Sequence, residues 1–184
     1  MNNTYEKAVF GGGCFWCTEA IFRRLKGVKS VTPGYAGGTM ENPSYEQVSQ
    51  GNTGHAEVIE IEYDPNIISY SNLLEVFFKT HDPTSKNRQG NDVGTQYRSV
   101  VLYANENQRN LAEKAIREIE ESGIFDKPVL TEILPLDSFF RAEEYHLEYY
   151  DKNPDKPYCS LVIGPKIAKL EKLFRDKINY DPRS

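Results

Sequence analysis

Three consecutive glycines, Gly11-Gly12-Gly13, separate an apolar run from a periodic one, and Cys14 follows them directly. An ordered glycine loses more backbone entropy than any other residue. A run of three therefore points to a chain that must turn sharply or approach another group closely. Before the run, Tyr5 to Phe10 reads as a short buried strand. After it, Ala20, Ile21, Phe22 and Leu25 recur at helical spacing until Gly27 stops them. The unit is strand, glycine turn, helix, with Cys14 at the helix start. Unpaired N–H groups and the helix dipole favour a thiolate there, so a lowered thiol pKa and a reactive Cys14 are expected. A small buried hydrophobe is the plainer role for a free cysteine, but it leaves the glycines unexplained. A phosphate cradle is a third use of such a turn, and no Lys-Ser or Lys-Thr follows to support it.

The same punctuation continues along the chain. Val28 to Ala36 and Glu57 to Tyr63 read as strands, with a loop at Gly37, Gly38, Asn42 and Pro43 between them. Ser71 to Lys79 reads as a helix capped by Ser69 or Ser71, with Leu73, Leu74, Phe77 and Phe78 on one stripe. A polar stretch from His81 to Tyr97 follows, longer than most connections, and such loops are functional or disordered. Ser99 to Tyr103 is a strand, Asn107 to Ser122 a charged amphipathic helix and Val129 to Leu134 a strand. Phe139 to Tyr150 is expected as a helix, Asn153 to Ser160 as an irregular arm and Pro165 to Ile178 as a final helix. This order predicts an α+β fold: a two-layer sandwich of ferredoxin-like type with a mixed sheet, helices on one face and a C-terminal arm. Residues 1–184 are expected to form one domain, with a core over about 5–150 and the arm and last helix over 151–184.

Charge excludes several functions. Against 27 acidic residues stand 22 Lys and Arg, for a net charge of −5, whereas nucleic acid and anionic membranes select clustered basic residues. No apolar run approaches the ~20 residues that span a bilayer. The N-terminal Met-Asn-Asn-Thr-Tyr-Glu-Lys lacks the apolar middle of a leader, so a cytoplasmic protein is expected. Three cysteines are too few for a disulfide scaffold and leave at least one thiol free. A monomer is the default expectation.

Cys14-Phe15-Trp16-Cys17 is a C-x-x-C, open to reading as a redox pair, half a zinc site or chance. Zinc needs two more ligands at matching spacing, and Cys159, His55, His81 and His146 form no paired motif. Period-2 alternation puts His55, Glu57, Ile59, Ile61 and Tyr63 on one strand face. If Ile59 and Ile61 point to the core, Glu57 is an inward carboxyl that desolvation would keep protonated, as a proton donor requires. His55 reads as its structural partner. Tyr45 and Tyr97 lie in or beside the least regular loops, where a phenol can meet a substrate oxygen. Phe15 and Trp16 would form an aromatic lip beside the thiol, suited to an apolar group. Cys159 stands in the arm as either an inert thiol or a resolver of a Cys14 sulfenic acid.

Taken in order from about residue 7 to residue 160, six segments resemble the peptide methionine sulfoxide reductases of the A type. They are Gly12-Gly13-Cys14-Phe15-Trp16, Gly34-Tyr35-Ala36-Gly37-Gly38, Asn42-Pro43-Ser44-Tyr45, Gly51-Asn52-Thr53-Gly54-His55-Ala56-Glu57, His81-Asp82-Pro83-Thr84 and the run from Asn87 to Ser99. The resemblance implies thiol-dependent reduction of the S epimer of methionine sulfoxide, free or in proteins, and hence protein repair, with no metal or organic cofactor. It implies Cys14 as nucleophile passing through a sulfenic acid, with Phe15 and Trp16 as the pocket for the substrate methyl. Glu57, Tyr45 and Tyr97 would hold and protonate the sulfoxide oxygen, with Asp92 supporting them and His55 at the edge of the substrate site. Cys159 would be the resolving cysteine and thioredoxin the reductant. Two positions depart from the family pattern: Cys17 stands where glycine is common, and no second cysteine follows Cys159. Cys17 is therefore a further candidate resolver, and a thiol–disulfide oxidoreductase using Cys14 and Cys17 is the alternative activity.

Overall fold

The computed structural model describes residues 4–180; Met1 to Asn3 of the leader reading and the last four residues of the single-domain span lie outside it. The elements run β1 (Glu6–Gly12), α1 (Phe15–Phe22), β2 (Val28–Ala36), α2 (Tyr45–Ser49), β3 (Ala56–Tyr63), α3 (Tyr70–Thr80), β4 (Arg88–Gln89), β5 (Asp92–Val93), β6 (Ser99–Tyr103), α4 (Glu106–Glu121), β7 (Glu132–Pro135), β8 (Phe139–Arg141), α5 (Tyr149–Lys152) and α6 (Gly164–Leu173). Six strands form one sheet in the order β7-β6-β1-β3-β2-β8. The β6–β7 pair is parallel and the other pairs are antiparallel, so the sheet is mixed, as expected. Strands β1 and β3, which bracket the glycine turn and Glu57, sit at its centre.

Side-chain alternation divides the core. Ala8, Phe10, Ile59, Ile61 and Tyr63 face one way and pack with α1, α3, α4 and α6 through Phe22, Leu73, Phe77, Ala112 and Leu170. Val9, Ala56, Val58, Val100 and Leu102 face the other way and are covered by Leu134, Leu136 and Phe139. Burying each such Phe or Ile contributes about 1.5–3 kcal/mol, so the helix-bearing face carries most of the stability. Helix α3 begins where Ser69 accepts the Asn72 N–H, and its apolar stripe is buried as its spacing predicts.

Three expectations change. The segment from Phe139 to Tyr150 is not one helix: it opens as edge strand β8, pairing Gly34 with Arg141 and Tyr35 with Phe140, and reaches α5 only after a 3-10 turn over Glu144–His146. The reason lies in β2. At Gly34 a Cβ atom would come within 2.6 Å of the Phe140 carbonyl, so the missing side chain is what lets β8 dock. The polar stretch from His81 to Tyr97 is ordered, with a β4–β5 hairpin at its centre and Asp82 accepting from Thr84 and Ser85 at its start. The arm is not irregular throughout, because Cys159–Ile163 forms a π-helical turn that runs into α6, and α6 ends at Leu173, short of Ile178.

Candidate active site

Gly13, at φ +96°, makes the turn that ends β1, a conformation that glycine adopts without strain. Cys14 then caps α1, and its carbonyl accepts the Cys17 and Thr18 N–H groups. Its sulfur caps nothing, because no side-chain bond reaches the orphan N–H groups of the helix. That alters the expected electrostatics. Burial pushes the Cys14 thiol well above its ordinary range, reinforced by a hydrogen bond with Cys17 and the nearby charge of Glu57. The bond with Cys14 draws Cys17 down to about 7. The lowered thiol of the resting C-x-x-C is therefore Cys17 and not Cys14.

The three cysteines are free and share one buried cluster with Ala20, Ile163 and Ile167, rimmed by Trp16, Tyr97, Tyr149, Tyr150 and Tyr158. Cys159, 142 residues along the chain from Cys17, thus lies in the same apolar pocket. The Tyr158 hydroxyl lies 3.6 Å from the Cys17 sulfur and donates to Asp92 at 2.6 Å, which ties the arm to the β4–β5 hairpin.

Glu57 occupies the position its alternation predicts: it is 3% exposed, on the face of Ile59 and Ile61. Burial raises its pKa well above the carboxylate range, and the charges of Asp92 and Cys17 add to this, against one backbone hydrogen bond from Phe15. Burial thus favours the neutral, protonated form of Glu57. Tyr45 opens α2 behind the Ser44–Gln47 capping box, and its N–H donates to Glu143. Burial and the charge of Glu57 push the Tyr45 phenol up to about 12 and the Tyr97 phenol higher still. Both phenols keep their protons. Tyr97 ends a 3-10 turn whose successor, Arg98, is pinned to the carbonyls of Thr95 and Gly54 and to Glu132. Glu57, Tyr45 and Tyr97 therefore lie within electrostatic reach of Cys14, and Asp92 within reach of Glu57 and Tyr97.

Of the aromatic lip, Phe15 is fully buried against Tyr35, Tyr45 and His146, while Trp16 is half-buried. His55 is the exception among the expected residues. Strand β3 begins at Ala56, so the alternation does not reach His55. Its ring accepts the Gly38 N–H and bonds the Met40 carbonyl, holding that loop against Phe140 rather than meeting Glu57. Sequence reasoning missed Tyr158, Glu143, His146 and Tyr149, which reach the site from far along the chain, and Glu19, which lies on α1 and accepts the Glu148 N–H. Among the described residues, no group of three or more His, Cys, Asp or Glu is placed to hold a metal ion. No helix there is long and apolar enough to cross a membrane.

Comparison with known proteins identifies the family. The family model described as peptide methionine sulfoxide reductase matches residues 6–178. The chain is 58% identical over 173 residues to a peptide methionine sulfoxide reductase MsrA of Saccharolobus solfataricus, covering 94% of this chain and 97% of that one. It is 57% identical over 167 residues to the MsrA of Nautilia profundicola, covering 91% and 95%. Reduced Mxr1 of Saccharomyces cerevisiae superposes with a TM-score of 0.78 at 34% identity, over 86% of this chain and 91% of that one. Methionine sulfoxide reductase A of Corynebacterium diphtheriae gives 0.73 at 34% identity, over 84% and 77%. The chain belongs to the A-type peptide methionine sulfoxide reductases and is a peptide-methionine (S)-S-oxide reductase, working by thiol-dependent reduction.

Proposed function

We propose that Cys14 is the nucleophile, that Glu57, Tyr45 and Tyr97 stabilise and protonate the sulfoxide oxygen, and that Phe15 and Trp16 receive the substrate methyl. The observation that carries this is the buried carboxyl of Glu57 within electrostatic reach of Cys14 and of the two phenols. A sulfoxide oxygen is a poor leaving group until protonated, and a neutral acid aimed at it helps most in the transition state. Entry of substrate brings that oxygen to Glu57, whose proton moves to it as Cys14 attacks the sulfur and gives up its own proton to the vacated Glu57 carboxylate. The sulfur–oxygen bond then breaks as the hydroxyl passes to the Cys14 sulfur and the new sulfur–sulfur bond opens, releasing methionine and leaving Cys14 as a sulfenic acid. Asp92 acts through Tyr158, holding the arm against the site. The site residues, reaction and partners form one reading with a single-domain, cytoplasmic monomer. Within it, the inner strands β6-β1-β3-β2 with α1 and α3 form the ferredoxin-like unit, to which β7 and β8 are added.

Two thiols can resolve the sulfenic acid. Cys17, one turn along α1 and hydrogen-bonded to Cys14, favours the first disulfide, which forms with loss of water. Cys159 then attacks the Cys17 sulfur, forming Cys17–Cys159 and freeing Cys14, and thioredoxin reduces the second bridge. Yeast Mxr1 has been solved in complex with Trx2, which supports that reductant. After one equivalent of substrate without reductant, peptide mass mapping is expected to find Cys14–Cys17 and Cys17–Cys159; a sole Cys14–Cys159 bridge would exclude Cys17.

The function itself is tested by dithiothreitol-driven reduction of N-acetyl-methionine sulfoxide, with the S and R epimers offered separately. Turnover of the S epimer alone is expected. Turnover of neither would leave the Cys14–Cys17 dithiol as a thiol–disulfide exchange site.

A further inference from the structure

The sheet ends at β8, and that end lies beside the site. Ala36 pairs with Phe139 at one end of the strand, and the Tyr45 N–H donates to Glu143 just past the other. The chain from Ala36 to Tyr45 therefore runs past β8 along its length. Between them lies a cleft of about 450 Å³, with Asn42, Pro43 and Ser44 on one side and β8 with Glu143 on the other. That size is typical of ligand-binding clefts. Phe139, Phe140 and Arg141 all line it. Successive side chains of a strand point to opposite faces, so an opening lined by all three meets the strand at its edge and not on one face. Its walls are fixed: His55 accepts the Gly38 N–H and bonds the Met40 carbonyl, and Glu143 accepts from the Tyr35 hydroxyl and the Tyr45 N–H. The register shows which backbone groups the edge offers. The Ala142 N–H donates to the Pro33 carbonyl, which makes these two a hydrogen-bonded pair of the antiparallel ladder, although Pro33 has no N–H to return. Bonded pairs alternate, so Phe140 and Tyr35 form the next one. The N–H and C=O groups of Phe139 and Arg141 are thus turned away from β2, on the side where the sheet has no further strand.

We propose that the outer edge of β8 binds the main chain of an extended peptide segment flanking the methionine sulfoxide, which adds to the sheet as a seventh strand while the oxidised side chain reaches Cys14. The proposal rests on Cys14, Glu57 and the two phenols being the site of reduction. Continuity with that site selects the occupant: one wall of the cleft ends at Ser44, and the next residue is Tyr45, whose phenol is assigned to the sulfoxide oxygen. Phe139 and Arg141 are two residues apart, each offering a donor and an acceptor, which is the spacing an added strand pairs with. Main-chain pairing tolerates any flanking side chain, as a substrate class defined by one oxidised residue requires. A helical segment cannot pair, because its own backbone groups are already bonded. At three residues, β8 is too short to hold a stray strand by itself, so lasting pairing needs the oxidised residue seated as well.

The test compares N-acetyl-methionine (S)-sulfoxide with a blocked seven-residue peptide of alanine and threonine carrying methionine (S)-sulfoxide at its centre. The peptide is expected to show a KM about tenfold lower at similar kcat, because remote main-chain bonds add uniform binding. N-methylation of the peptide, one residue at a time, removes one donor at each step. It should raise KM at alternate positions on one side of the sulfoxide and leave the positions between them within about twofold. Arg141→Pro removes a donor that the sheet does not use, so it should raise KM for the peptide about fivefold and leave KM for the small substrate within about twofold. Arg141→Ala, which keeps the N–H, should match the parent on both substrates. Equal KM values for the two substrates would overturn the proposal, as would N-methyl effects without alternation or an alanine variant as impaired as the proline one. If Arg141→Pro lost turnover of both substrates through misfolding, the N-methyl series on the parent would decide alone. Failure of the parent to turn over either substrate would instead sink the reductase reading, and the same N-methyl series, read by the anisotropy of fluorescein-labelled peptides bound to the parent, would still decide whether the edge binds.

Discussion

Cys14→Ser is expected to abolish turnover of N-acetyl-methionine (S)-sulfoxide by at least about a thousandfold, to the level of the uncatalysed reaction with dithiothreitol. A serine hydroxyl is not ionised at neutral pH and cannot accept the sulfoxide oxygen as a sulfenic acid does, so every later step is lost with the first. The fold should survive. Cys14 is 8% exposed, its helix-capping bonds come from its carbonyl, and serine differs by one atom of similar size. A thermal midpoint within a few degrees of the parent, measured alongside the assay, separates lost chemistry from lost structure. Residual turnover within tenfold of the parent would mean that Cys17 or Cys159 attacks the sulfoxide, and the nucleophile would have to be reassigned.

Glu57→Gln should pull activity and stability in opposite directions. General acid catalysis by a positioned carboxyl contributes about 10²–10⁴-fold, and glutamine has no proton to give, so kcat/KM should fall by roughly 10²-fold or more. In the parent, activity should also decline as pH rises through the raised pKa of Glu57, because the acid form is the working one. The stability effect has the reverse sign. Desolvation raises the carboxyl in the folded state, so over the range between its unfolded and folded pKa values the folded chain holds more protons than the unfolded chain. Stability therefore drops with increasing pH in that window. Glutamine fills the same space without ionising, so the variant should melt above the parent at neutral pH, and the difference should close below about pH 4, where the Glu57 carboxyl is protonated in the unfolded parent as well as the folded one. Equal melting temperatures across that range would show that Glu57 is not held neutral, and with that the proton-donor role would fall.

Legibility differed by region for physical reasons. The strand–glycine–Cys14–helix unit and the inward Glu57 could be read because each depends on local periodicity, and on one rule about which face is buried. The edge strand at Phe139–Arg141 could not. Its aromatic and acidic residues fit a helical spacing, and what makes it a strand is the gap above Gly34, more than a hundred residues earlier. Helix-start position alone argued for a lowered Cys14 thiol, whereas burial of the sulfur, which the sequence does not show, acts in the opposite direction. His55 was drawn one residue too far into a strand that starts at Ala56. The bonds from Trp16 to His146, Tyr158 to Asp92 and Glu148 to Glu19 join residues at least 66 positions apart, beyond any local pattern.

The two halves of the site also differ in how they are built into the molecule. Cys14 follows β1 and Glu57 lies on β3, and both strands are flanked by strands on either side at the centre of the sheet, where opening costs most. Tyr149, Tyr158 and Cys159 hang from a four-residue helix, a single π-helical turn and the chain between them. Short elements of that kind open locally at lower cost than central strands do. A thiol that must leave its buried place to reach a partner is thus carried by short elements rather than by the central sheet.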